Sequence, residues 1–114
     1  MEICLTTHAY NRIKERAPEA TFYRRMIWRA YCAKENAKRN AKVFEYIKYI
    51  EKKQEFLNPI ISIYGGFVFV MKEEEGQLWL DTMFAFEQRN VERHYNYIKG
   101  NVKLPLIILG AISI

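Results

Sequence analysis

Residues 60–86 read IISIYGGFVFVMKEEEGQLWLDTMFAF, three apolar runs separated by two glycine-bearing turns and free of proline. Few folds can accommodate such a stretch. IISIY is β-branched and aromatic, Gly65-Gly66 provides the positive φ that a tight hairpin turn demands, and FVFVMK is the returning strand. EEEG makes a second turn that leads into QLWLDTMFAF as a third strand. FVFV is apolar at every position, so it is expected in the centre of its sheet, covered on both faces. Asn58-Pro59 marks where the hydrophobic period changes from helical to extended.

Before that point helical spacing dominates. EICL (2–5) reads as a short strand, after which Thr6 or Thr7 offers an N-cap oxygen for a helix ending near Arg16. Pro18 ends that helix or occupies the first turn of the next. A second helix is expected from Glu19 to Lys38. Phe22, Met26, Arg29 and Ala33 lie along one side, with Ile27 and Tyr31 beside them and Arg24, Arg25, Lys34 and Lys38 elsewhere. After a break in KENAKRNAK, a third helix runs through VFEYIKYIEKKQEF, where Val43, Ile47 and Ile50 form a stripe that Phe44 widens. Downstream of the meander, Val91, Tyr95 and Ile98 define a last helix stopped by Gly100. LPLIILGAISI is then either a further strand or an apolar tail that docks. The fold class is α+β: an N-terminal strand and helices packed on a C-terminal antiparallel meander, with a short helical and apolar extension. One domain is expected over 1–114, with a core in 1–86 and an extension in 87–114.

With 114 residues, half of them hydrophobic, the chain can bury a core. Its net charge of +5 and pI near 9.2 favour anionic partners: nucleic acid, nucleotides or an acidic protein. Cys4 and Cys32 have no ligand-like spacing to each other or to a histidine, which argues against zinc and leaves two buried thiols as the expectation. No cofactor is implied. MEICLTTHAY lacks the pattern of a signal peptide, and the apolar C-terminal segment is far short of the roughly 20 residues a spanning helix needs. The expected location is the cytoplasm, with no membrane partner. A homo-oligomer through 102–114 is expected as one way to cover that segment.

Within THAYNRIKER, His8, Arg12 and Arg16 recur every four residues, which places them on one face of the first helix. That face is either a solvated basic stripe or a place that holds a phosphate beside a proton carrier.

The combination of THAYNRIKER, VFEYIKYI, IYGGFVFVM and LWLDTMF resembles small phage and prophage proteins. Those proteins open with a Thr-His-Ala-x-x-Arg-x-x-x-Arg helix and end in a Tyr-Gly turn and a Leu-x-Thr-Val strand. Through them the chain resembles the RelE-like and barnase-like ribonuclease toxin superfamily, over residues 1–86. The resemblance implies functional roles for His8, Arg12, Arg16 and Thr82, with Tyr64 and Gly65 at the turn. This chain departs from the pattern at Asp81, where an aliphatic residue is usual, and in a third strand that runs on into MFAF. Metal-independent RNA cleavage needs a base, a leaving-group acid and cations on the phosphate. A histidine suits the first two roles, arginine the third, and Thr82 can donate a hydrogen bond to a phosphate oxygen.

Structural roles stand beside each of these. Arg12 and Arg16 are either solvated or paired with Glu73–Glu75, and Thr82 is a β-branched residue suited to any strand. His94 is a second acid/base group or a plain helix residue. Lys34 and Lys38, with Arg39 and Lys42, are a phosphate-facing strip or a solvated helix end, and Tyr64 joins the two lysines as a candidate substrate contact. Trp28, Trp79 and most tyrosines are expected in the core. The function expected is that of a phage-associated RNA-binding protein, with metal-independent endoribonuclease activity of RelE-like type as its catalytic form. The alternative is a non-catalytic anti-defence protein that binds a bacterial host protein or sequesters a nucleotide signal through the same basic face.

Overall fold

The computed structural model describes residues 1–19 and 22–100. In chain order its elements are β1 (Glu2–Leu5), α1 (Thr7–Arg16), α2 (Tyr23–Cys32), a 3₁₀ turn (Ala37–Arg39), α3 (Ala41–Lys52), β2 (Ile60–Tyr64), β3 (Phe67–Glu74), β4 (Gln77–Ala85) and α4 (Gln88–Ile98). The protein is α+β. Its four strands form one sheet in the order β1-β4-β3-β2. The meander is antiparallel, with Tyr64 opposite Phe67 across the first turn and Glu74 opposite Gln77 across the second. Gly65 and Gly66 take φ of 59° and 84°, the left-handed pair that a two-residue turn between twisted strands requires. β1 adds to the far side of β4 in parallel, Ile3 beside Leu78 and Leu5 beside Leu80, which makes the sheet mixed.

β3 is central, and its alternation feeds two separate cores. Phe69 and Met71 point to one face, where they meet Ala9 and Ile13 of α1, Ile27 and Ala30 of α2, and Leu78, Leu80 and Met83 of β4. Val68 and Val70 point to the other face, against Val43, Ile47 and Ile50 of α3 and Val91 of α4. The sheet is thus covered by α1 and α2 on one side and by α3 and α4 on the other. Helix α4 lies within the second layer, with Val91 fully buried.

A β-bulge interrupts the β3–β4 ladder. Met71 faces Leu80 and Val70 faces Thr82, so Asp81 has no opposite number. The extra residue resets the alternation of β4 and lets both Leu80 and Met83 reach the α1–α2 core. The departure from the expected strand pattern at Asp81 is therefore a bulge position.

Several expected boundaries are corrected. The second helix spans Tyr23–Cys32, because Pro18 sits in a turn after α1 and the polar run after Cys32 closes in tight turns. There Lys34 N donates to Tyr31 O at 3.2 Å and Asn36 N to Ala33 O at 3.0 Å. The third helix starts at Ala41, where the Asn40 side chain accepts from Lys42 N and Val43 N, and it stops at Lys52 rather than at Phe56. Residues 33–40 carry the chain from one face of the sheet to the other. Asn36, Ala37 and Asn40 border the same depression as Ile63, so the crossing passes beside edge strand β2. In that strand Ser62 is fully buried, its hydroxyl without a partner among the described residues. Neither thiol is in the core: Cys4 is half-buried and Cys32 exposed. The expected self-association through 102–114 lies outside the described residues. No described helix is long and apolar enough to cross a membrane.

Candidate functional site

Helix α1 begins at Thr6, whose hydroxyl accepts from Ala9 N and donates to Asp81 O, both at 3.0 Å. Burial of Ala9 and Ile13 then fixes the rotation of the helix and leaves His8, Arg12 and Arg16 to one side of the buried stripe. The three share a face, as their spacing requires, but their environments differ. The His8 side chain is exposed and makes no hydrogen bond among the described residues. Arg12 Nη1 donates to Glu15 Oε1 at 2.9 Å, one turn along the same helix. Arg16 Nη1 donates to Met83 O at 2.7 Å.

That last bond has a structural cause. β4 outlasts β1, so its outer edge past Leu80 lacks a neighbouring strand and exposes backbone oxygens. The Thr6 amide takes Leu80 O, the Thr6 hydroxyl takes Asp81 O, and the Arg16 guanidinium takes Met83 O. Arg16 closes a sheet edge. Neither arginine reaches Glu73–Glu75, which lie at the opposite end of the meander, where the Tyr31 hydroxyl donates to Glu73. That hydrogen bond pushes the Tyr31 phenol above its ordinary range.

Thr82 is not gathered with the α1 trio. It pairs with Val70, and directly opposed residues of an antiparallel ladder share a face. Val70 belongs to the α3–α4 side and Ile13 to the other, so the sheet separates Thr82 from the α1 core. Tyr64 packs against the α1–α2 core at the hairpin end, the same end of the sheet as Arg16. Lys34 lies at the far end, its ammonium 3.9 Å from the Tyr31 ring centroid, and Lys38 contacts Glu35 at 3.5 Å. His94 packs against Tyr49 with the rings tilted at 32° and 4.5 Å between centroids, on the α3–α4 side. Lys42 pairs with Glu92 at 2.8 Å, which raises the lysine and lowers the carboxylate from their ordinary pKa values. The lysine strip is thus largely occupied by local partners. Among the described residues, no group of three or more His, Cys, Asp or Glu side chains is placed to hold a metal ion.

The outer surface of α1 and α2 has a different character. Residues 7–34 hold seven Lys and Arg against two Glu, a net +5 that equals the charge of the whole chain. Among the described residues only Arg12 of those seven is ion-paired. Aromatic rings lie between the cations: Tyr10 and Trp28 are each 43% exposed and Phe22 is 68% exposed. Lys14 sits 5.5 Å from the Tyr10 ring and Arg25 5.1 Å from the Phe22 ring. Trp28 stacks on Tyr31 with centroids 5.4 Å apart and planes at 24°. The two helices meet where Tyr10 and Tyr23 pack edge to face at 6.0 Å, beside a depression of about 340 Å³ lined by Thr6, Thr7 and Arg24.

The expectation that Trp28 and most tyrosines fill the core is therefore corrected; of the eight tyrosines only Tyr46 is buried. Ile27 and Ala30 set the buried stripe of α2, and Trp28 falls a residue off it, one turn from Arg24. The lopsided charge of 7–34 was the sequence signal for this surface. A scan against protein-family models found no match to the chain, and searches of curated proteins and of solved structures likewise found none.

Proposed function

We propose that this protein binds RNA through the outer surface of α1 and α2, and that binding, not cleavage, is its activity. The observation that carries the reading is that the whole net charge resides in 7–34 with six of its seven cations free of ion pairs among the described residues. Cations without ion-pair partners can neutralise phosphates and release the counterions condensed on a nucleic acid, a large source of affinity for it. The likeness to phage proteins and to RelE-like ribonucleases points to the same ligand. The catalytic part of that likeness has less support, since Thr82 stands across the sheet from α1 and Arg16 is engaged with Met83.

The test is a salt titration of a labelled 15-nucleotide RNA, followed by anisotropy. Three to five phosphate contacts give a slope of log K against log salt of about −2 to −4. Arg24→Gln with Arg25→Gln and Arg29→Gln should flatten that slope by about two units. Affinity that ignores salt, or a triple variant that binds as the parent does, overturns the proposal and favours the anti-defence alternative.

A further inference from the structure

We infer that the α1–α2 surface selects single-stranded over duplex RNA, with Trp28 as a base-stacking platform and the depression between Tyr10 and Tyr23 as the seat of a neighbouring nucleotide. This rests on the RNA-binding reading and adds to it. Charge alone would serve either form of RNA, because both present phosphates. The rings discriminate. In a duplex the base faces are consumed by stacking within the helix, so an exposed indole on the protein finds no partner there. A single strand can splay a base onto it.

The geometry suits that use. The Trp28–Tyr31 pair has the Lys34 ammonium 3.9 Å from the Tyr31 ring centroid, so a cation already lies against that ring, while Trp28 keeps 43% of its surface open. The stack also holds the indole in a fixed orientation before any base arrives, which lowers the entropy lost on binding. One turn before Trp28, about 6 Å along the helix, stands Arg24. Its Nε donates to Ile3 O at 3.1 Å, which anchors the guanidinium and leaves its remaining N–H groups for a phosphate. Arg24 also lines the depression bordered by Thr7, Tyr10 and Tyr23. A backbone phosphate at Arg24 therefore has a ring platform on one side and an aromatic-walled hollow on the other.

The experiment compares one labelled 15-nucleotide RNA, free and annealed to its complement, at about 0.15 M salt. The proteins are the parent, Trp28→Leu, Trp28→Phe and Tyr10→Leu, each checked for folding by circular dichroism. The parent should hold the single strand at least tenfold more tightly than the duplex. Trp28→Leu should weaken single-strand binding by about 5- to 150-fold while changing duplex binding less than about twofold, and Trp28→Phe should recover most of the loss. Tyr10→Leu should give a smaller loss, again confined to the single strand. Equal affinity for the two forms, or a Trp28→Leu protein that binds the single strand normally, overturns the selectivity while leaving RNA binding intact. Failure to bind either form overturns the RNA-binding reading itself.

Discussion

Replacing Arg16 with methionine separates a structural role from a binding role at the residue where the two are hardest to tell apart. The substitution keeps the aliphatic stem and removes the guanidinium that Met83 O accepts from at 2.7 Å. Met83 is fully buried, and β1 has already ended at this level of the sheet, so no strand can take over its carbonyl. A charged donor on a backbone oxygen is worth about 1.5–3 kcal/mol when its acceptor is left orphaned. Arg16 itself is largely exposed, so water recovers part of that, and a loss of about 1–2 kcal/mol is the working value. For a chain of this size that is a fall in Tm of roughly 4–10 °C. Arg16→Lys retains one donor and should recover part of the loss. Urea and thermal unfolding followed by circular dichroism read the effect, with RNA affinity measured on the same samples well below Tm. An unchanged Tm together with a tenfold or greater loss of RNA affinity would refute the edge-closing role and return Arg16 to the binding surface.

His8→Ala should leave both stability and RNA affinity within about twofold of the parent, since the imidazole is exposed and unbonded, and gel analysis should show no RNA product from either protein. Ser62→Ala removes a fully buried hydroxyl that lacks a partner among the described residues, so unfolding in urea should show stability unchanged or raised by up to about 1 kcal/mol. Lys42→Met tests the Lys42–Glu92 pair through pH. The depressed Glu92 carboxylate gives stability that is present above its unfolded pKa and lost as pH falls through the lower folded value. The Tm gap between parent and variant should accordingly be widest near neutral pH and close as pH falls through the depressed folded pKa of Glu92; a gap independent of pH would remove the pair as its cause.

The meander and the first helix were legible because each is dictated locally. Gly65-Gly66 leaves the chain between β2 and β3 little choice of turn, and Thr6 caps α1 three residues before Ala9. The partner of β1 was not legible. Nothing in EICL says that it lies parallel to β4, a pairing between segments 75 positions apart that depends on the tertiary fold. KENAKRN has acceptable helix propensity and so predicts a longer α2, yet the chain must turn there to change sheet faces. At the candidate site, periodicity placed His8, Arg12 and Arg16 on one face but carried no record of what each would touch. Thr82 shows the limit most clearly. The bulge at Asp81 decides which face a β4 residue occupies, and an unusual residue at that position does not by itself say that the strand carries an extra residue there. Trp28 was assigned to the core on residue type, whereas its offset from Ile27 and Ala30 carried the better information.

The dependence of α1 on β4 also sets an order of events during synthesis. Thr6 and Asp81 are bonded across 75 positions of sequence, and Ala9 and Ile13 find their buried neighbours chiefly on strands made later. At about 5–20 residues per second, a ribosome needs about 4–15 s to extend the chain from Thr6 to Asp81. A ten-residue helix is marginal in water without a surface to pack on, so α1 and α2 have little to hold them in shape until the later strands are made. Helix α1 gains its contacts to Leu80, Asp81 and Met83 only once β4 has been made. The nascent chain thus carries the charge of 7–34 from early in synthesis, while the contacts that seat α1 on the sheet wait for β4.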